Sequence, residues 1–293
     1  MTMPDWYNQS FCCVNDGNYN NEDITTPFPG YVLNEKYPFT FVNVSKELLN
    51  GREYLNPEEY SDYRKNCKTQ PLDWKYRKKE VKYTVNSSGY RTYEWHDIDW
   101  KESIVILGCS CTFGVGISDE ETIAHKLEKL TGRQVVNLGV PAGSNSLILN
   151  NVSQLLKKFK MPWSVIINWT TLDRFRFYYE SGYHDAGPWD YLNKKTIFSH
   201  DKNKVDVSKL WNLSVKNETN LAIKSYYLSL YADAMLENYT NYIKVSFFED
   251  TAHFTRSHKW FEIDNEARDL IHPGEKNSEQ VANYIHKRIR DNL

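Results

Sequence analysis

Residues 104–116 read Ile-Val-Ile-Leu-Gly-Cys-Ser-Cys-Thr-Phe-Gly-Val-Gly. Four large apolar side chains in a row, without alternation and closed by a glycine, suit a short strand buried on both faces, the situation of a central strand in a parallel sheet. Working outward, Ser118-Asp-Glu-Glu121 has capping-box spacing ahead of Ile123, Leu127 and Leu130 at i, i+4 and i+7, with Gly132 just beyond, which predicts a helix. Gln134–Leu138 reads as the next strand, Leu147 to Phe159 as a second helix and Trp163–Ile167 as a third strand. A helix over Leu221 to Tyr239, a strand over Ile243–Phe248 and a final helix with Val281, Ile285 and Ile289 on one face complete the alternation. Strands and helices in strict succession predict βαβ units with right-handed crossovers, hence a doubly wound α/β sandwich.

The flanks differ. Residues 1–80 hold turn formers such as Asn15-Asp16-Gly17-Asn18, prolines such as Pro27, Pro29, Pro38 and Pro71, and scattered aromatics, and read as an irregular N-terminal arm. Val81–Val85 alternates as a strand, and Asn86-Ser-Ser-Gly89 then signals a turn into Tyr90-Arg91-Thr-Tyr-Glu, so a hairpin is expected at the entry to a domain spanning 81–293. Residues 174–220 break the rhythm with Phe175, Phe177, Tyr178, Tyr179, Tyr183, Trp189 and Tyr191, and predict an insertion above the sheet edge. That cluster suits either packing under the insertion or stacking on a sugar or acyl group.

The whole chain has 293 residues, enough for one large domain with an appendage. Its 36 Lys+Arg against 38 Asp+Glu leave a net charge of -2, without the basic excess of a nucleic-acid partner. No apolar run approaches bilayer length and no signal-peptide pattern opens the chain, so neither membrane nor secretion is expected. Cys12, Cys13, Cys67, Cys109 and Cys111 are odd in number and lack framework spacing, which predicts free thiols in a reducing, cytoplasmic setting. Abundant Asn, Lys, Tyr and Ile fit an AT-rich source, a virus or a compact bacterium.

Ligands of doubly wound sheets bind beyond the carboxyl ends of the strands. Gly108–Gly116 lies there but matches neither phosphate-loop pattern, having no Gly-x-Gly-x-x-Gly and no following Lys. Ser110 next to glycine at a strand end can instead be a nucleophile, or merely a polar turn residue. Cys109 and Cys111 lack the partner pair of a zinc site, so no metal is expected. A nucleophilic serine needs an oriented base, and the chain offers Asp250-Thr-Ala-His253 and Asp269-Leu-Ile-His272, either of which places carboxylate and imidazole within one turn.

Three ordered blocks resemble the SGNH (GDSL-type) serine hydrolase family: Gly108-Cys-Ser-Cys-Thr-Phe-Gly114, Val136-Asn-Leu-Gly-Val-Pro-Ala-Gly143-Ser-Asn145 and Ala267-Arg-Asp-Leu-Ile-His-Pro-Gly274. Asn86-Ser-Ser-Gly-Tyr-Arg91 is similar to a hairpin that precedes the nucleophile block in some members. The resemblance implies a flavodoxin-like α/β/α sandwich and acyl-ester hydrolysis without metal or organic cofactor. It implies Ser110 as nucleophile, His272 as base and then acid, Asp269 as the group orienting the imidazole, and the amides of Ser110 and Gly143 as oxyanion donors. The Asp250/His253 pair lacks the Pro-Gly and helix that follow the family's His block and is set aside. Gly-Asp-Ser is replaced by Gly108-Cys109-Ser110. In place of the Gly-x-Asn-Asp block stands Asn168-Trp-Thr-Thr-Leu-Asp-Arg174, which resembles a version in divergent, often phage-encoded relatives. The family's side-chain oxyanion donor would then come from Asn145, Asn168, Thr170 or Thr171. Expected substrates are small-molecule or carbohydrate acyl esters. The same triad would serve an O-acyltransferase, and a degenerate scaffold would leave a non-catalytic carbohydrate-binding or virion-associated protein.

Overall fold

The computed structural model describes residues 60–79, 81–86, 90–158, 161–179, 182–188, 204–238 and 241–291, with short strand segments at 13–14, 31–32, 40–42 and 196–198. A five-stranded sheet is built from β1 (Ile104–Gly108), β2 (Val135–Gly139), β3 (Ser164–Trp169), β4 (Tyr242–Ser246) and β5 (Lys259–Trp260). Every pair is parallel and the spatial order is β2-β1-β3-β4-β5. This is the flavodoxin-like order, whose reversal point lies between β1 and β3. Four longer helices cover the sheet: α1 (Ile123–Thr131), α2 (Asn145–Lys158), α3 (Glu218–Leu236) and α4 (Glu275–Asp291).

Period-two alternation sorts the strand residues into two cores. Val105, Leu107, Val165 and Ile167 meet Leu147, Val152 and Leu155 of α2 and Ala232 and Leu236 of α3. Ile104, Ile106 and Ile166 meet Ile123 and Leu127 of α1 and Val281, Ile285 and Ile289 of α4. The result is a three-layer α/β/α sandwich, as the alternation of elements predicts. Each such side chain fully buried contributes about 1.5–3 kcal/mol, so the unbroken apolar run of β1 sits where it stabilises most.

The capping box forms, with Ser118 and Glu121 bonded reciprocally, but it heads a single 3₁₀ turn, Asp119–Glu121. Helix α1 starts after it on a second cap, Thr122, whose hydroxyl accepts from His125 N at 3.2 Å.

Residues 1–80, expected as an irregular arm, are described only in part. They contain a helix, Tyr60–Thr69, and a strand, Thr40–Val42. The strand at Lys82–Thr84 pairs antiparallel with Thr40–Val42 and not with residues 90–94, so the expected hairpin is replaced by a longer-range pairing. Asn86 N donates to Tyr90 O at 2.8 Å and Tyr90 N to Asn86 Oδ1 at 3.0 Å, residues 87–89 lying outside the described residues, and the buried Arg91 that follows points inward. A third buried cluster joins Tyr76, Val81 and Tyr83 to Phe113, Val115, Ile117 and Ala267. The insertion after β3 opens with an antiparallel pair, Phe175–Tyr179 with Gly182–Ala186, and ends in a helix, Val207–Val215, anchored by Trp211 Nε1 donating to Asp173 O at 2.7 Å. The side chains of Phe177, Tyr178, Tyr183, Trp189 and Tyr191 lie outside the described residues. No helix of the described residues is long and apolar enough to cross a membrane.

Candidate active site

Ser110 opens a four-residue helix, Ser110–Phe113, directly after β1 at the carboxyl edge of the sheet. Gly108 allows this turn to fold back tightly. A Cβ there would overlap Thr112 Oγ1 and approach Asn168 O at 3.0 Å. Below the turn runs a buried polar network: Asn137 Nδ2 donates to Thr112 O at 2.9 Å, and Asn168 Nδ2 donates to Thr112 Oγ1 at 3.0 Å. From outside, Arg91 grips the segment that follows. Its guanidinium donates to Phe113 O (3.2 Å), Gly114 O (2.6 Å) and Ile117 O (2.8 Å), pairs with Asp119 and lies 4.6 Å over the Tyr83 ring. Each charge-assisted bond of this kind contributes roughly 1.5–3 kcal/mol, so Arg91 holds the segment that leaves the Ser110 helix.

Asp269 and His272 come together. His272 Nδ1 is hydrogen-bonded to Asp269 Oδ2, while Asp269 Oδ1 accepts the backbone N–H groups of Ile271 (3.1 Å) and His272 (3.0 Å). Burial pushes the Asp269 carboxyl up, but the imidazole and these two amides outweigh it and hold it below its ordinary value. Leu270 adopts a left-handed φ of 59°, which turns the backbone so that both amides face the carboxylate. This loop sits against the Ser110 segment: Arg268 N donates to Gly116 O at 3.0 Å, and a Cβ on Gly116, itself at φ 78°, would lie 2.8 Å from Ala267 Cβ.

The third link is absent in this conformation. Ser110 is 4 % exposed, and its hydroxyl is directed to Cys109 Sγ at 3.9 Å, with no hydrogen bond to His272. Cys109 and Cys111 are free and buried. The hydrogen bond between their thiols splits them, taking Cys109 down and Cys111 up; burial pushes both up, and the Arg174 charge draws both down. Among the described residues no three His, Cys, Asp or Glu side chains cluster as metal ligands would.

The oxyanion candidates fare unequally. The Ser110 N–H stands at the first helical position, where it has no intrahelical acceptor. The Gly143 N–H is instead committed to Val140 O at 2.9 Å, because the chain makes a tight turn there with Ala142 at φ 62°. Asn145 clamps Thr170, its Nδ2 donating to Thr170 O (3.0 Å) and its Oδ1 accepting from Thr170 N (2.9 Å). Asn168 supports Thr112, and the Thr170 hydroxyl is fully buried. Thr171 is half-buried, with no hydrogen bond to its hydroxyl among the described residues. Asp250 and His253 lie exposed on the helix Glu249–Phe254 without a bond between them, His253 resting edge-on against Phe254.

Several residues around the site have no individual sequence signal of comparable strength. Arg174, just before the strand Phe175–Tyr179, donates to Gly143 O at 3.3 Å. Asn137 was visible in principle, being the one polar residue inside the apolar β2. Thr112 supports the turn by a hydroxyl and a carbonyl, a role that only the folded register defines.

No family model matches the sequence, and no curated protein does. Solved structures that it resembles include TesA, at 12% identity over 66% of this chain and 100% of that one, with a TM-score of 0.39. A carbohydrate esterase family 2 enzyme with its carbohydrate binding domain, from Corynascus thermopiles (Myceliophthora fergusii), has 12% identity over 66% of this chain and 67% of that one, TM-score 0.41. The acetyl xylan esterase Est2A of the rumen bacterium Butyrivibrio proteoclasticus has 11% identity over 66% and 65%, TM-score 0.37.

Proposed function

We propose that the protein is a serine ester hydrolase of the SGNH type, acting on acyl esters, among which O-acetylated carbohydrates are the substrate class to test first. The observation that supports this reading is the Asp269–His272 pair, held on a loop that docks against the turn following Ser110. With Nδ1 engaged by the carboxylate, the imidazole keeps Nε2 as the free basic nitrogen. In the proposed reaction the Ser110 hydroxyl swings from Cys109 toward His272, and catalytic hydrogen bonds that are long in a free enzyme tighten in this way on substrate binding. Ser110 Oγ attacks the ester carbonyl and His272 Nε2 takes its proton. His272 then protonates the leaving alcohol, and a water activated by the same nitrogen releases the acyl group. Asp269 stays ionised and balances the imidazolium. The Ser110 N–H is the first oxyanion donor; of the side-chain candidates, the hydroxyls of Thr170 and Thr171 make no hydrogen bond among the described residues, and only Thr171 is half-exposed. Gly143 would donate only after its amide leaves Val140 O.

Release of nitrophenol from short-chain nitrophenyl esters tests the reading, with Ser110→Ala reducing it to background. Turnover undiminished in that variant would sink the assignment of the nucleophile. A second reading, a non-catalytic carbohydrate-binding scaffold, is favoured by one observation, the inward-turned Ser110 hydroxyl. Failure of the wild type to react with a fluorophosphonate probe, together with binding of an acetylated xylan, would select it.

A further inference from the structure

The loop bearing Asp269 and His272 is closed on itself. Ala267 N donates to His272 O at 2.8 Å, Leu270 N to Ala267 O at 3.1 Å, and the Asp269 carboxylate gathers the Ile271 and His272 amides. Such a unit keeps its internal shape and moves as a body, so what matters for a neighbouring serine is how the unit is tethered.

The Arg268 peptide groups provide that tether. The Arg268 N–H donates to Gly116 O at 3.0 Å, on the segment that follows Ser110. The Arg268 carbonyl accepts from Asn66 Nδ2 at 3.2 Å, across 202 residues of chain. Asn66 lies on the N-terminal helix Tyr60–Thr69 and is 8% exposed. The carbonyl it holds belongs to the peptide plane that enters Asp269, so rotation of that plane carries the carboxylate and the imidazole with it. The neighbouring Tyr76 packs with Ala267 and with Phe113, Val115 and Ile117 in one buried cluster, and Lys75 and Lys79 bond Glu121 at 3.2 and 2.6 Å. The N-terminal helix therefore stands on a fixed base when it reaches the loop.

We propose that Asn66 is a positioning residue that, through the Arg268 carbonyl, sets where the Asp269–His272 pair stands relative to Ser110. The kinetic consequence rests on the hydrolase reading; the conformational one does not. The experiment uses the full chain, with Asn66→Ala, the near-isosteric Asn66→Asp in which an ionised carboxylate cannot donate, and the exposed Lys68→Ala on the same helix as control. Amide hydrogen exchange should be at least about tenfold faster at Arg268 in both Asn66 variants, with Ile271 and His272 keeping their protection inside the loop. With a nitrophenyl ester, kcat should fall about 10- to 100-fold while KM stays within about twofold, the signature of a displaced base and not of lost binding. Lys68→Ala should match the wild type in both readouts. Unchanged exchange at Arg268 overturns the inference whether or not the protein turns over esters. Faster exchange with unchanged kcat overturns it too, since the bond would then only hold the loop down. A wild type inert to both ester and fluorophosphonate defeats the hydrolase reading alone, and the exchange measurement still decides the tether. If Asn66→Ala does not fold, Asn66→Asp carries the test.

Discussion

The two Asp-x-x-His segments have the same spacing and opposite fates. In the helix Glu249–Phe254 the i, i+3 geometry leaves Asp250 and His253 side by side but exposed, and no bond forms between them. At 269–272 the backbone leaves helical space at Leu270, the carboxylate is largely buried and two main-chain amides donate to it alongside the imidazole. Spacing makes a pair geometrically available. A carboxylate already fixed by backbone donors, and shielded from water, is what makes the pair form, because an exposed ion pair contributes only about 0–1 kcal/mol.

Substitution in both segments should break this comparison most sharply at the base. His272→Ala should lower kcat for nitrophenyl esters by roughly 10⁵- to 10⁶-fold, while His253→Ala leaves it unchanged. Equal effects of the two would mean that the loop pair has no special part in turnover. Next comes the orienting carboxylate: Asp269→Asn keeps the shape but favours the wrong tautomer, with an expected loss in kcat approaching about 10⁴-fold, against none for Asp250→Asn. Steady-state kinetics on the four variants, with circular dichroism to check folding, decides both.

How far the sequence carried the structure follows from the range of the signals. β1 and β3 were legible because a run of apolar residues in both cores has few alternatives, and α4 because Val281, Ile285 and Ile289 repeat on one face. β5 was not, since Lys259 and Trp260 are exposed edge residues with no pattern, paired to β4 only through the backbone. The pair at 269–272 was distinguished from its twin by resemblance of the surrounding block, not by physics visible in the string. A left-handed φ at a leucine has no compositional mark. Likewise the bond from Asn66 to Arg268 O depends on a helix docking 202 residues away, and the turn that commits the Gly143 amide to Val140 O hides the donor which the motif implies.

Acid should separate the segments more gently. The Asp269 carboxyl is held below its unfolded value, so ionised Asp269 stabilises the fold above an unfolded pKa of about 3.9, and this contribution disappears as pH falls through the lower folded pKa. The stability gap between the wild type and Asp269→Asn should therefore be widest near neutrality and narrow as the pH falls below about 4. Denaturant titrations at several pH values would show it, and a gap independent of pH would mean that the carboxylate is not stabilised in the fold.

The smallest expected effect isolates the backbone itself. Leu270 at φ 59° carries a steric cost of about 1–2 kcal/mol that glycine would not. Leu270→Gly relieves it, but also frees the unfolded chain, which offsets about 0.4–1 kcal/mol, and it removes a partly buried side chain. The balance should lie within about 1 kcal/mol of zero. Ala252→Gly, at the helical residue before His253, has no strain to relieve and should destabilise by about 1 kcal/mol. If Leu270→Gly proves as costly as Ala252→Gly, the left-handed turn is not strained, and the carboxylate, not the backbone, shapes the loop. If it is near neutral while kcat falls, leucine at this position limits the loop's motion, so that strain in one residue preserves the orientation of the base.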